Sequence, residues 1–246
     1  MHKFFVNKNQ IQNNKVHIIG SDINHIVNVL RLKIDEEIQI CSVEDKKNYI
    51  AKIIQYNKEN VICKIVEELN ISTEPKVKID IFQGLPKADK MELIIQKTTE
   101  IGVRSIIPVS MERSIVKLTK KDEEKKIERW QKISEVAAKQ SKRDIIPEIE
   151  RCINIKEVQN RINNYTKFIV AYEEENSKTL KQVLKELKEE ENIEIGVLIG
   201  PEGGIDEKEI QILKDRADIV TLGSRILRTE TAPIVVVSNT IYELEN

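Results

Sequence analysis

The sequence predicts an α/β protein, a mainly parallel sheet covered by helices on both faces and preceded by a small β domain. Short β-branched runs, several alternating with period two, fill the chain up to Ile71. Beyond Pro75, strand-like runs alternate with helix-like ones, the pattern of βα units. Two of the later strands give way to loops rich in glycine, arginine and hydroxyl residues, and such strand ends are where open α/β sheets place their ligand crevices.

In the first domain the predicted strands are 16–19, 38–43, 49–54 and 60–66, enough for a small barrel or sandwich. One helical segment interrupts them. Asp22 is placed to cap it, and Ile26, Val29 and Leu30 fall at helical spacing, which leaves His25 and Arg31 off the apolar stripe. The stretch Ile71-Ser72-Thr73-Glu74-Pro75 breaks the pattern, so the domains are set at 1–72 and 73–246. In the second domain the predicted strands are 77–82, 105–109, 168–172, 195–199 and 219–222. Asp89 with Glu92 reads as a capping-box start for a helix that stops at Gly102, and Asp206 with Glu209 repeats the signature. A long helix over 120–143 carries Ile127, Trp130, Ile133 and Ala137 on one face, where Trp130 reads as core rather than as a stacking platform.

Charge and composition narrow the function classes. Among 246 residues, 40 Lys and Arg face 41 Asp and Glu, so a nucleic-acid surface has to come from local clusters of charge. Cys41, Cys63 and Cys152 are odd in number and far apart, which excludes paired zinc or dithiol spacing and predicts packing residues, a reducing compartment and no metal. No run of about 20 apolar residues is present and the start lacks a signal-peptide pattern, so a cytoplasmic protein without membrane contact is expected.

The chemistry is sought at the two junctions. Gly200-Pro201-Glu202-Gly203-Gly204 follows an apolar strand, and its glycines allow a nucleoside or carboxylate to lie against main-chain groups. It is neither a Walker A loop nor a G-x-G-x-x-G fingerprint, which counts against ATP and NAD, and it reads alternatively as a plain helix-entry turn. The second junction gathers Gly223, Arg225, Arg228, Thr229, Glu230 and Thr231, with the threonines placed to cap the next helix and Pro233 near its first turn. A salt-bridge cluster at a helix start is the plainer reading of that second loop.

These motifs come with others in a fixed order: Gln83-Gly84-Leu85-Pro86-Lys87, Gln96-Lys97-Thr98-Thr99-Glu100-Ile101-Gly102-Val103, Glu112-Arg113-Ser114, Arg129-Trp130, Gln140-Ser141, then the two junctions. As a set, over nearly the whole chain, they resemble the bacterial 16S ribosomal RNA uridine N3-methyltransferase family. His25 with Val29-Leu30-Arg31 resembles that family's small RNA-binding barrel, related to the PUA domain. The resemblance implies a trefoil-knotted SPOUT-class domain over 73–246, a PUA-like β-barrel over 1–72, a homodimer, and S-adenosylmethionine as cofactor. Carried over position by position, the cofactor residues are Gly200, Glu202, Gly203, Leu222, Gly223, Ile226, Leu227, Arg228, Thr229 and Ala232, with Tyr172 at the preceding strand end. Ser224 departs from the family, where proline is common, and Pro233 stands where a small residue is common.

Methyl transfer to uridine N3 needs the N3 proton removed and the resulting anion stabilised. Arg228 or Arg225 is assigned to the uracil oxygens, and Glu230 to the proton, unless it only orients an arginine. Basic candidates for contacts with 16S ribosomal RNA are Arg31, Lys87, Arg113, Lys139, Lys142 and Arg143, with His25 beside them; His25 also reads as an ordinary barrel histidine, and most lysines of 120–143 as a solvated face. Two rivals stand beside this reading: a non-catalytic RNA-binding or ribosome-assembly protein keeping a methyltransferase-like fold, and a nucleotide-dependent oxidoreductase, against which the missing dinucleotide fingerprint counts.

Overall fold

The β-branched runs at the start of the chain become strands, joined by two short ones that periodicity does not mark. A computed structural model describes residues 1–245. It divides into two units, 1–74 with 138–145 and 75–137 with 146–245.

In the first unit the strands are β1 (Lys3–Val6), β2 (Ile11–Gln12), β3 (Lys15–Ile18), β4 (Glu37–Ser42), β5 (Asn48–Tyr56) and β6 (Val61–Leu69). They form one sheet in the order β1-β4-β5-β6-β3-β2, with β1 parallel to β4 and the other pairs antiparallel. Register breaks at Ile50/Ala51 and Ile53/Gln55 bulge the central strand, and bulges of this kind bend a sheet. Phe4, Ile18, Ile38, Ile40, Ile53 and Val61 fill the core on the inward positions of the alternation. Helix α1 (Ser21–Asn24) continues as a π-helical turn over His25–Val29, which buries Ile26 and leaves His25 exposed. Its N-cap is Gly20, not Asp22; the Asp22 carboxylate lies in the first turn and pairs with Lys139 at 2.9 Å.

The segment 138–145 belongs to this unit because a buried ion pair stitches it there. The Asp144 carboxylate accepts from Lys3 Nζ at 2.6 Å, Asn48 Nδ2 at 2.8 Å and the Thr73 N–H at 2.9 Å. The Lys3 side chain is 0% exposed, a burial that is tolerable only with the opposite charge and hydrogen bonds in place. Glu74 accepts from the Asp144 N–H at 2.7 Å and pairs with the Arg143 guanidinium.

The second unit holds β7 (Lys78–Gly84), β8 (Ser105–Ser110), β9 (Glu148–Ile149), β10 (Ile153–Asn154), β11 (Lys167–Ala171), β12 (Glu194–Ile199) and β13 (Asp218–Val220). All pair in parallel, in the order β10-β8-β7-β12-β11-β13 with β9 beside β8. Helices α2 (Lys90–Ile101), α3 (Lys120–Gln140), α4 (Ile155–Arg161), α5 (Leu180–Lys185), α6 (Glu207–Leu213) and α7 (Ala232–Glu245) complete it, α3 with its last residues in the first unit. Both faces of the sheet are covered, which is why its strands read as continuous apolar runs rather than alternating ones. On one face Ile79, Ile81, Ile195 and Val197 share a cluster with Ile95 of α2, Val183 of α5 and Val236 of α7. On the other, Phe82, Val170 and Leu198 share one with Val158 of α4 and Leu213 of α6.

The helix signals meet mixed outcomes. Asp206 and Glu209 form their capping box, Asp206 Oδ1 accepting from the Lys208 N–H at 3.0 Å and Glu209 Oε2 from the Asp206 N–H at 3.2 Å. Asp89 is the N-cap of α2, but its side chain makes no cap bond and Glu92 pairs instead with Arg129 at 2.8 Å. Gly102 ends α2 at φ +134°, and Trp130 is buried in the core. Among the described residues, no helix is long and apolar enough to cross a membrane.

Candidate active site

Three neighbouring parallel strands, β12, β11 and β13, end along one edge of the sheet, and β7 ends next to β12. The loops that leave these ends enclose a cavity of about 450 Å³, of a size for a nucleoside-like ligand. Every predicted cofactor position lines it except Gly203. Gly203 faces outward instead, its carbonyl accepting from Arg113 Nη1 at 3.2 Å.

Thr229 ties the two junctions together. Its hydroxyl donates to the Gly200 carbonyl at 2.7 Å and accepts from Gln83 Nε2 at 3.0 Å, so one buried side chain links β7, the glycine-rich loop and the second loop. The Thr229 hydroxyl is thus spent inside the site rather than on the start of α7. Gln83 is wholly buried at the end of β7, a role that a lone glutamine in an apolar run does not reveal in the sequence. The next residue, Gly84, allows the approach: a Cβ there would lie 2.7 Å from Pro201 Cδ. In the second loop Gly223 adopts φ +117°, a conformation L side chains resist, and opens the cavity wall.

The charges at the site are organised by Lys90, a residue the sequence reading passed over. Its ammonium, on the first turn of α2, lies 3.1 Å from Glu202 Oε1 and 3.2 Å from Glu230 Oε2. The second contact is an ion pair rather than an aligned hydrogen bond, since Glu230 Oε2 is buried and hydrogen-bonded to nothing among the described residues. Glu202 also accepts from the Lys87 N–H at 3.0 Å. Burial acts to raise the Glu230 carboxyl, but its own N–H, Lys90 and Arg228 outweigh it and hold it below the usual carboxylate value. The Glu202 carboxyl is lowered in the same way, with burial opposed by its own and the Lys87 N–H and by Lys90. Lys90 itself is raised by its contacts with Glu202 and then Glu230.

Arg225 and Arg228 line the cavity and are exposed, whereas Glu230 lies behind the wall with its side chain 16% exposed. Ile226, 84% exposed, presents an apolar face to the same space with Leu222 and Leu227. The backbone N–H groups from Ser224 through Arg228 donate to no partner among the described residues. Apolar wall, unengaged main-chain donors and flanking charge suit a cofactor that combines a base, a ribose and a zwitterionic tail. Among the described residues, no three His, Cys, Asp or Glu side chains gather as a metal site.

The basic candidates for RNA divide by environment. Lys87 and Arg113 are exposed in the second unit, and His25, Arg31 and Lys142 in the first. Arg143 leaves the set: its side chain is 4% exposed and spent on Glu74. Lys139 is held by Asp22 and is largely covered.

A wholly parallel sheet with a glycine-edged, main-chain-lined cavity at its strand ends, entered by the loop that launches α7, is the α/β architecture of an RNA methyltransferase domain, and it follows a PUA-type β domain in the chain. The RNA methyltransferase domain family matches residues 73–241, and the RNA methyltransferase PUA domain matches residues 18–66. Ribosomal RNA small subunit methyltransferase E of Bacillus subtilis (strain 168) is 36% identical over 253 residues, covering 100% of this chain and 98% of that protein. The protein of the same name from Mesomycoplasma hyopneumoniae (strain 232) is 32% identical over 99% of this chain and 100% of its own length. A crystal structure of ribosomal RNA small subunit methyltransferase E from Neisseria gonorrhoeae bound to S-adenosyl methionine superposes with a TM-score of 0.85 at 29% identity, covering 97% of this chain and 96% of that one. The chain belongs to the RNA methyltransferase family with an N-terminal PUA domain.

Proposed function

We propose that this protein is an S-adenosylmethionine-dependent methyltransferase that modifies N3 of a uridine in 16S ribosomal RNA of the small subunit. The observation that carries the reading is the cavity at the C-terminal edge of the parallel sheet, lined by ten of the eleven positions that the family resemblance assigns to the cofactor. When bound, S-adenosylmethionine supplies an electrophilic methyl group on a positively charged sulfur. Gly200, Gly223 and the loop N–H groups are the main-chain surface that would hold it, with Leu222, Ile226 and Leu227 as the apolar wall. An in-line displacement asks the protein chiefly for position, and the Gln83-Thr229-Gly200 chain fixes the two loops against each other.

The remaining task is the N3 proton. In this reading Arg228 and Arg225, exposed residues of the cavity lining, stabilise charge developing on the uracil oxygens. Glu230 is ionised at neutral pH and, lying behind the cavity wall, accepts the proton through a water. Phosphate contacts that position the RNA fall to Arg31 and Lys142, with His25, in the first unit, and to Lys87 and Arg113 in the second. The resemblance also implies a cytoplasmic homodimer, and light scattering on the purified protein tests the dimer.

The non-catalytic alternative predicts the same fold and no product. Mass-spectrometric mapping of small-subunit RNA with and without the gene separates them. The enzyme reading expects one methyluridine to vanish on deletion and return on complementation; an unchanged methyluridine content contradicts it.

A further inference from the structure

Among the described residues, Lys90 is the one group that touches charged side chains of both junctions. It starts α2, far in sequence from either loop, yet its ammonium stands between Glu202 of the glycine-rich loop and Glu230 of the second loop. The Lys90 side chain is 29% exposed and lines the cavity, so it forms part of the wall between the ligand space and Glu230. We propose that Lys90 is a positioning residue for methyl transfer: its shared ammonium locks the cofactor loop and the chemistry loop in one arrangement and aims the Glu230 carboxylate. This rests on the methyltransferase reading given above.

The charge arithmetic favours that role over a decorative surface pair. Two carboxylates flank one ammonium, which leaves this triad itself with a charge of −1 beside the cavity, where Arg225 and Arg228 add positive charge. Without the ammonium, Glu202 and Glu230 would face each other as like charges, and one would take up a proton or swing away. The other charged groups around the bridge are Arg228 on the second loop, and Lys87 and Asp89 just ahead of α2; Arg225 and Glu173 line the same cavity. Arg228 alone cannot replace the bridge, because it sits on the same loop as Glu230 and touches no carboxylate of the glycine-rich loop among the described residues.

The test compares Lys90→Met and Lys90→Arg with wild type in two readouts. The first is the carboxyl carbon NMR titration of Glu202 and Glu230 in the cofactor-free protein, which needs no activity. Lys90→Met is expected to raise the titration of at least one of the two by about a unit, and Lys90→Arg to restore it. The second is the pH profile of single-turnover methylation at saturating S-adenosylmethionine and RNA. There Lys90→Met is expected to lose about tenfold at neutral pH and move its acidic limb upward, and Lys90→Arg to recover most of the rate. Thermal melting of each variant checks that the fold survives. Unmoved carboxyl titrations in Lys90→Met, or a rate loss that arginine does not rescue, overturn the proposal. Wild-type protein that methylates nothing in the same assay would instead overturn the methyltransferase reading, and the titrations would still decide the bridge.

Discussion

At the residue scale the account turns on Thr229 and Glu230. Thr229 is buried and its hydroxyl serves both as donor and acceptor, so Thr229→Val leaves the Gly200 carbonyl without its donor and the Gln83 amide with only its bond to the Gly84 carbonyl. Removing one member of a buried polar chain costs about 1–3 kcal/mol. Because the chain joins the two loops, part of that cost should surface as about tenfold weaker S-adenosylmethionine binding in a calorimetric titration, and an unaltered Kd would disconnect the relay from the cofactor. Glu230→Gln removes a proton acceptor without changing shape. The single-turnover rate is expected to drop about a hundredfold and to lose its acidic limb; a wild-type rate across pH would reassign Glu230 to orienting an arginine. The glycines and arginines of both loops were legible in the sequence, since few structural turns need so many special residues together. Lys90 was not. A lysine at a helix start looks like any solvated charge, and only the folded chain shows two distant carboxylates converging on it.

At the scale of elements, the parallel strands announced themselves as apolar runs, because burial on both faces erases the alternation that half-buried strands show. The pieces that escaped notice are those whose signal is tertiary. β1 and β2 are four and two residues long, too short for a period to register, and β1 is kept in place by parallel pairing with the distant β4. Segment 138–145 read as the end of a helix, yet Asp144 makes it part of the first unit. Burial acts to raise the Asp144 carboxyl, but hydrogen bonds from Lys3, Thr73 and Asn48 outweigh it and hold it below the usual value. A carboxyl lowered by folding contributes stability that is full above its unfolded value of about 3.9 and lost as pH falls through the folded one. Asp144→Ala is therefore expected to destabilise the protein by about 3 kcal/mol at neutral pH, leaving Lys3 buried and unpaired, and to flatten the acid side of the stability curve. Urea unfolding from neutral to acid pH measures both effects, and a variant that melts like wild type would show that the strap is held by something other than this pair.

For the whole molecule, the sequence pattern reaches the class of architecture and stops short of the path of the chain. Alternating strands and helices predict a parallel sheet, but the order β10-β8-β7-β12-β11-β13 brings together strands far apart in sequence, which no local period encodes. A knotted connection is rarer still, so ordinary connection rules count against it and only the ordered motifs of the family pointed there. The consequence for function is that β11, β12 and β13 present their ends side by side, with β7 adjoining, and one cavity receives the loops of the first three together with Lys90 from the helix that follows β7. The central claim, that this cavity serves S-adenosylmethionine-dependent methylation of uridine N3, is tested most directly by reconstitution. Purified protein is incubated with undermethylated small ribosomal subunits and S-adenosylmethionine, and the RNA is digested and its nucleosides quantified by mass spectrometry. The account predicts a gain approaching one 3-methyluridine per 16S RNA, at a single site, that requires the cofactor. No gain, or a methyl group on any other nucleoside, would contradict it.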